Sequence, residues 1–421
     1  MSELGFLENL LDGAAVSWTP LGELGDLVRG NGLPKSDFTE TGVPAIHYGQ
    51  IYTFYGLSTE KTVSFVSPET AASLKKVDTG DVVITNTSEN FEDVGTPLVY
   101  FGQEQAVTGG HATIFKPARS VLGKYFAYFT QTPAFEKEKR KYAKGAKVID
   151  VSAKDLAKIL IPIPCPENTE KSRSIQAEIV RILDNFTELT AELTAELNAR
   201  KQQYNYYREQ LLDYEGKAVE HLPMGDERVG TFTRGGGLQK KDFADTGVGC
   251  IHYGQIYTHY GTYAHTTKSF VSEEFAKKAR MAKPDDLVIA TTSENDEDVC
   301  KAVAWLGDED IAVSSDACFY SHKLNPKFVA YFFQTEQFQK QKRIYITGAK
   351  VRRVNADNLA KILIPVPSAE EQDRVVNILD KFDTLTTSLR EGLPREIKLR
   401  QQQYEYYRDL LLSFPKPEEA P

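Results

Sequence analysis

The chain has 421 residues, 41% of them hydrophobic, 11% aromatic and 26% charged, which excludes a disordered protein and allows roughly two to four folded domains. Its net charge of −9 excludes a uniformly basic nucleic-acid binder, yet segments 18–165 and 222–367 are close to neutral, with basic clusters at 137–147 and 340–353. No apolar run reaches the roughly 18–20 residues of a membrane span, and the N-terminus lacks a signal-peptide pattern, so no membrane role and a cytoplasmic location are expected.

The chain opens with residues 1–17, which resemble the joint after the first long helical pattern. Glu8-Asn9-Leu10-Leu11-Asp12 leads to Val16-Ser17-Trp18, as Glu209-Gln210-Leu211-Leu212-Asp213 leads to Val219-Glu220-His221. Repeats arranged in this circular way predict a pseudo-twofold object. A first α/β globule follows at 18–165, a central helix at 166–217, a second globule at 218–367, a C-terminal helix at 368–414 and a tail at 415–421.

Within the globules, Arg29-Gly30-Asn31-Gly32-Leu33-Pro34-Lys35 matches Arg234-Gly235-Gly236-Gly237-Leu238-Gln239-Lys240. Neither completes a P-loop or a GxGxxG, so each reads as a tight turn with a lysine that could meet phosphate. Residues 46–53 and 251–258 repeat the sequence Ile-His-Tyr-Gly-Gln-Ile-Tyr-Thr, and their aromatic and β-branched content predicts strands. Apolar strands at 81–85 and 286–290 each run into a polar Thr-Ser-Glu-Asn loop, at 87–90 and 292–295. Helices are expected at 125–131 and 328–334, each ahead of a basic cluster. Gly-Ala-Lys-Val follows at 145–148 and 348–351, before closing strands near 156–162 and 359–365.

Ser368-Ala369-Glu370-Glu371 has the form of a capping box. Ile179, Ile182, Phe186, Leu189 and Leu193 step by three and four, as do Val375, Ile378, Phe382, Leu385 and Leu389, which is coiled-coil spacing. The helical patterns end in Arg200-Lys201-Gln202-Gln203-Tyr204-Asn205-Tyr206-Tyr207-Arg208-Glu209 and in Arg400-Gln401-Gln402-Gln403-Tyr404-Glu405-Tyr406-Tyr407-Arg408-Asp409. Gly392-Leu393-Pro394, inside a four-residue insertion of the second copy, predicts a kink or break.

Catalytic signatures are missing: there is no Walker A lysine, HExxH or GxSxG. Cys165, Cys250, Cys300 and Cys318 show no CxxC spacing, which speaks against a zinc site or a disulfide framework. The acidic groups Glu89, Glu92, Asp93 and Glu294, Asp296, Glu297, Asp298 read as solvated or base-reading loops rather than metal ligands. His47 and His252 read as structural, having no partner ligand beside them in sequence. The recurring polar loops form a base-reading inventory: Tyr48, Gln50, Thr87, Ser88, Glu89 and Asn90, with Tyr253, Gln255, Thr292, Ser293, Glu294 and Asn295. Lys35, Lys139, Arg140, Lys141, Lys144 and Lys147, with Lys240, Lys342, Arg343, Lys350, Arg352 and Arg353, are candidate phosphate contacts.

Two globules alternating with two long helices, together with Glu178-Ile179-Val180-Arg181-Ile182-Leu183-Asp184-Asn185-Phe186, Asn377-Ile378-Leu379-Asp380-Lys381-Phe382-Asp383 and the two Gln-Gln-Tyr blocks, resemble the specificity subunit of a type I restriction-modification enzyme, especially the type IC branch. The resemblance implies an α+β fold in which the globules are target recognition domains and the helices pack as an antiparallel coiled coil. It implies double-stranded DNA as ligand, two methyltransferase subunits docked on the helices and motor-nuclease subunits beyond them. It implies that no catalysis and no cofactor belong to this chain. S-adenosylmethionine would serve the adenine-N6 methyltransferase partner, and ATP and Mg the motor-nuclease. Tyr204, Tyr207, Arg208, Tyr404, Tyr407 and Arg408 are candidate partner-docking residues. A helix of about 40 residues is roughly 60 Å long, enough to hold two readers more than one duplex turn apart. Alike readers related by a pseudo-twofold predict a bipartite, near-palindromic target. The rival expectation is a coiled-coil adaptor whose globules bind protein.

Overall fold

The computed structural model describes residues 10–388 and 391–414. Residues 1–9, the seam position Leu389 and the tail 415–421 lie outside the described residues. The chain divides into two units, Met1–Glu192 with Lys398–Pro421, and Leu193–Ile397. The first globule therefore shares its unit with the end of the chain, as the circular repeat expects.

Unit 1 is built on a five-stranded sheet in the order Gly25–Arg29, Ala112–Pro117, Val82–Thr85, Pro97–Tyr100, Ser58–Thr59. Val82–Thr85 is buried along its whole length, as its unbroken apolar run requires of a central strand covered on both faces. One face is covered by Gly123–Phe129, whose Tyr125, Phe126, Tyr128 and Phe129 are at most 1% exposed. Burying such side chains stabilises the fold by roughly 1.5–3 kcal/mol each. A second five-stranded sheet runs Phe38–Thr39, Ser64–Val66, Val43–Ile46, Ala106–Thr108, Lys75–Val77. The ribbon Val16–Pro20 with Leu160–Pro164 closes the globule.

Unit 2 repeats this topology strand for strand. Its first sheet runs Gly230–Arg234, Ala317–His322, Leu287–Ala290, Ala302–Trp305, Tyr263–Ala264. Its second runs Phe243–Ala244, Ser269–Val271, Val248–Ile251, Ile311–Val313, Met281–Ala282, and Glu220–Pro223 pairs with Leu363–Val366.

One expected strand is a helix. Only Val43–Ile46 and Val248–Ile251 are extended, whereas Tyr48–Thr53 and Tyr253–Thr258 are helical. The His47 Nδ1 accepts from the Gly49 N–H at 3.2 Å, and the Gln50 side-chain oxygen accepts from the His47 N–H at 3.3 Å. This reciprocal cap, repeated at His252 and Gln255, outweighs the β propensity of the segment. The expected box at Ser368 is half formed. Ser368 accepts from the Glu371 N–H, but the Glu371 carboxylate forks Arg374 at 2.7 Å instead of reaching back.

The central helix, Thr169–Leu212, is continuous over 44 residues. The C-terminal one is broken, as Gly392 and Pro394 predict, into Ala369–Thr387 and Leu393–Leu411. The first turns of each helix dock on the globule before them. Ile175, Ile179 and Leu183 enter the core of unit 1, and Val375, Val376 and Leu379 join Phe328 and Tyr331 in unit 2. Further along the predicted seam, Ile182, Phe186, Leu189 and Leu193 are only half-buried. In unit 2 the pairing is antiparallel: Tyr204 stacks on Phe382, and Tyr214 meets Glu371. In unit 1, Tyr407 stacks on Phe186.

Candidate nucleic-acid interface

The polar Thr-Ser-Glu-Asn loop and the two residues that follow the Gly-Ala-Lys-Val segment, far apart in sequence, are strand partners. Thr87 and Ser88 pair with Asp150 and Ile149, and Thr292 and Ser293 pair with Arg353 and Arg352. The Gly-Ala-Lys-Val segment forms the turn of a hairpin closed by Lys144 opposite Asp150, and by Thr347 opposite Arg353. Glycine is required there. Gly145 has φ +107°, and a Cβ on it would lie 2.0 Å from the Val148 carbonyl oxygen; Gly348 repeats this at +91° and 2.1 Å. The turn exposes Lys147 with Val148, and Lys350 with Val351.

The short capped helix completes the same face. Thr87 Oγ1 lies 2.9 Å from His111 Nδ1, and the His111 ring is 4.9 Å from Tyr48, which itself lies against His47. Lys35 and His111 are close enough to His47 to add to the effect of burial and lower its pKa. Lys240 acts likewise on His252, opposed there by Asp316. Each unit thus gathers a lysine, a histidine-capped helix end, a polar loop and a hairpin tip on one surface.

Several expected readers are bonded within their own unit. Gln50 and Gln255 cap their helices and also donate to Ser64 at 2.6 Å and Ser269 at 2.7 Å. Replacing Gln50 therefore breaks a cap before it can report on a base. Asn90 and Asn295 close their own loops, through Asp93 at 2.7 and 2.8 Å and through Asp298 at 2.8 and 2.7 Å. Thr87, Ser88 and Thr292 are buried, Ser293 accepts from the Asn295 N–H, and Tyr48 and Tyr253 are half-buried. Glu89 and Glu294 remain exposed.

The phosphate candidates divide in the same way. Lys139 donates to the Phe91 and Val94 carbonyls at 3.0 and 2.8 Å, and Lys342 to those of Glu297 and Val299 at the same distances. Both are buried, which lowers their pKa values, and both fasten the polar loop rather than face solvent. Arg140, Lys141, Lys144, Arg343 and Arg352 are held by Glu136, Glu138, Asp155, Glu336 and Asp296. Lys35, Lys147, Lys240, Lys350 and Arg353 are exposed and make no side-chain hydrogen bond or ion pair among the described residues.

The helix-end candidates contact residues of their own units. Tyr204 is 6% exposed and, with Tyr207, stacks on Phe382, while Arg208 donates to Gln334. Tyr404 donates to Gln131 at 2.5 Å and lies by Tyr128, Tyr407 stacks on Phe186, and Arg408 pairs with Asp409. What sequence reading missed is the carboxylate that receives each globule. Asp184 accepts from Lys124 at 2.9 Å and Tyr128 at 2.6 Å, and Asp380 from Lys327 at 2.7 Å and Tyr331 at 2.6 Å. The matched Lys-x-x-x-Tyr spacing was the available signal.

Among the described residues no cluster of three metal-ligating side chains occurs, and no helix is long and apolar enough to cross a membrane. All four cysteines are buried and free, and burial pushes the Cys250 and Cys300 thiols up to about 12.

Residues 16–200 and 234–399 match the family described as the type I restriction modification DNA specificity domain. The chain belongs to that family. It is 35% identical over 426 residues to the specificity subunit of an Escherichia coli type I restriction enzyme, with 99% of each chain covered. It is 28% identical over 436 residues to a putative type I restriction enzyme specificity subunit of Haemophilus influenzae, covering 97% of this chain and 98% of that one. In fold it is similar to a chain of a structure described as the basis of complex assembly and conformational transition of the type I restriction-modification system, with a TM-score of 0.63 at 14% identity over 94% of this chain and 97% of that one. It is also similar to the M. genitalium S subunit, with a TM-score of 0.53 at 12% identity over 96% and 98%. The duplicated face described above thus belongs to a type I specificity-family fold.

Proposed function

We propose that this chain is the DNA sequence-recognition subunit of a type I restriction-modification complex, each globule reading one half of a bipartite site. The observation that supports this most directly is the duplicated face. In both units, free cations flank a rigidly capped helix end and a hairpin beside a polar loop, an arrangement suited to phosphate anchoring around a small base-reading surface. The free lysines supply the sequence-independent part of binding, and the fixed loops hold register.

In this reading the chain transfers no methyl group and cuts no DNA. Two adenine-N6 methyltransferase subunits dock on the helical regions and bring S-adenosylmethionine; motor-nuclease subunits bring ATP and Mg. The complex works in the cytoplasm. The domain boundaries are those of the sequence: 1–17, globules at 18–165 and 218–367, helices at 166–217 and 368–414, and a tail at 415–421. Because the two faces share their framework, the target is bipartite and close to palindromic.

Methylome sequencing of a strain expressing this chain with its methyltransferase partner tests the reading. The expected result is one interrupted motif with related, inverted halves. Two unrelated halves would overturn the palindromic part, and no sequence-specific methylation would overturn recognition itself.

A further inference from the structure

The two faces differ in charge at several matched places, two of which concern the side that carries His111 in unit 1. His111 of unit 1 corresponds to Asp316 of unit 2, since their carbonyls accept from the matched Asn86 and Thr291 N–H groups at 2.8 and 2.9 Å. Asp150 corresponds to Arg353, each the strand partner of the loop threonine. Residues directly opposite on a ribbon project to the same side. Thr87 reaches His111, so Asp150 shares the side that carries His111 and Tyr48. Arg353 takes the same place beside Thr292.

Neither side chain is used inside its unit. Asp150 is half-buried; its Oδ2 is shielded from solvent in the free chain and has no hydrogen-bond partner. The exposed Arg353 guanidinium makes no hydrogen bond or ion pair among the described residues, not even with Asp316. The neighbouring difference behaves otherwise. Phe91 and Ile149 pack against the core of unit 1, and their counterparts Asp296 and Arg352 pair at 2.8 Å in unit 2. That change is closed within the fold, whereas the change from Asp150 to Arg353 leaves an acceptor in one unit and a forked donor in the other.

We propose that Asp150 and Arg353 are matched specificity-determining residues that make the two half-sites differ at one position, an inference that rests on the DNA-recognition reading above. A carboxylate accepts from the exocyclic amino group of cytosine or adenine, and an arginine donates bidentately to guanine O6 and N7. The near-palindrome is therefore broken at a single matched position, with an amino-bearing base in the half read by unit 1 and guanine in the half read by unit 2.

The test compares methylomes directed by the wild-type chain, R353A and R353K, each co-expressed with the methyltransferase partner, with co-purification as the check of assembly. The expected wild-type motif has this one asymmetric position. R353A relaxes guanine preference there about tenfold or more, while the other half keeps its sequence. R353K retains charge but not the fork and relaxes the same position, which keeps the test available should R353A not assemble. A motif unchanged in both variants overturns the inference and leaves the DNA reading standing. So does a uniform loss of methylation with no position relaxed, the mark of a phosphate contact. A wild-type chain that directs no sequence-specific methylation overturns both.

Discussion

The two units share a skeleton and differ on one face, and the positions of the differences separate scaffold from reader. The reciprocal cap at the short helix, the buried lysine under the polar loop and the Lys-Tyr-Asp contact between globule and helix recur with nearly the same distances. Where the units part, two kinds of change are visible. Phe91 with Ile149 gives way to Asp296 with Arg352, an exchange that adds an ion pair within the unit. Asp150 and His111 give way to Arg353 and Asp316, an exchange of charge that no ion pair within either unit accompanies among the described residues. Duplication lets the framework be identified as what both copies keep for their own stability. What one copy needs and the other does not is where sequence choice can reside.

The largest effect that could break this equivalence is loss of the receiving carboxylate. Asp184 and Asp380 are each 26% exposed, so their loss costs less than that of a fully buried partner, about 2–3 kcal/mol once lysine and tyrosine are left without an acceptor. The chain carries two tryptophans, Trp18 in unit 1 and Trp305 in unit 2. Urea unfolding followed by fluorescence, in backgrounds where one tryptophan is replaced by Phe, reads each unit separately. Asp184→Ala should lower the Trp18 transition and Asp380→Ala the Trp305 transition, by similar amounts. A cost confined to one unit would show that the two contacts are not equivalent supports.

Most of the architecture was legible in the sequence because duplication shows every element twice. The buried apolar strands, the helices before the basic clusters and the break at Gly392 and Pro394 all follow from pattern and backbone chemistry. The capped helix was misread because its residues favour strands individually. The deciding information was the histidine three residues before a glutamine, a capping box with an imidazole in the acceptor role. The site was less legible. A list of polar residues cannot distinguish Gln50, spent on a cap, from Glu89, left in solvent, because burial decides which donors remain free. Nor could it show that the loop at 87–90 lies beside the hairpin at 144–150, a long-range pairing with no local signal.

A smaller effect sharpens the division among cations. Lys147 and Lys350 are free at the hairpin tips, whereas Lys139 and Lys342 are committed to carbonyls beneath the loop. In salt titrations of DNA binding by the complete methyltransferase complex, K147A/K350A should reduce the slope of log K against log salt by about 1.8, near 0.9 for each phosphate contact. K139M and K342M should leave the slope unchanged and lower stability instead. A slope that falls with K139M would return that lysine to the interface.

The smallest effect concerns the shared cap. His47 and His252 are shifted below the ordinary histidine value, first by burial and then by Lys35 and His111 or by Lys240. The cap uses the neutral ring, since Nδ1 must accept from a backbone N–H. A folded-state pKa below the unfolded one gives a contribution fully present above the unfolded value of about 6.5, and lost as pH falls through it toward the folded value. Asparagine also caps helices but does not titrate there. Between about pH 7.5 and 5.5 the wild-type melting temperature should fall more than that of H47N/H252N, a difference on the order of 1 kcal/mol or less for each cap. His322, pushed down to about 4 by burial, has the same sign and remains in both proteins, so the variant keeps part of the slope. Equal slopes would mean that the imidazole caps contribute nothing that titrates. A slope lost from one unit alone would make the cap, like Asp150 and Arg353, a place where the copies have diverged.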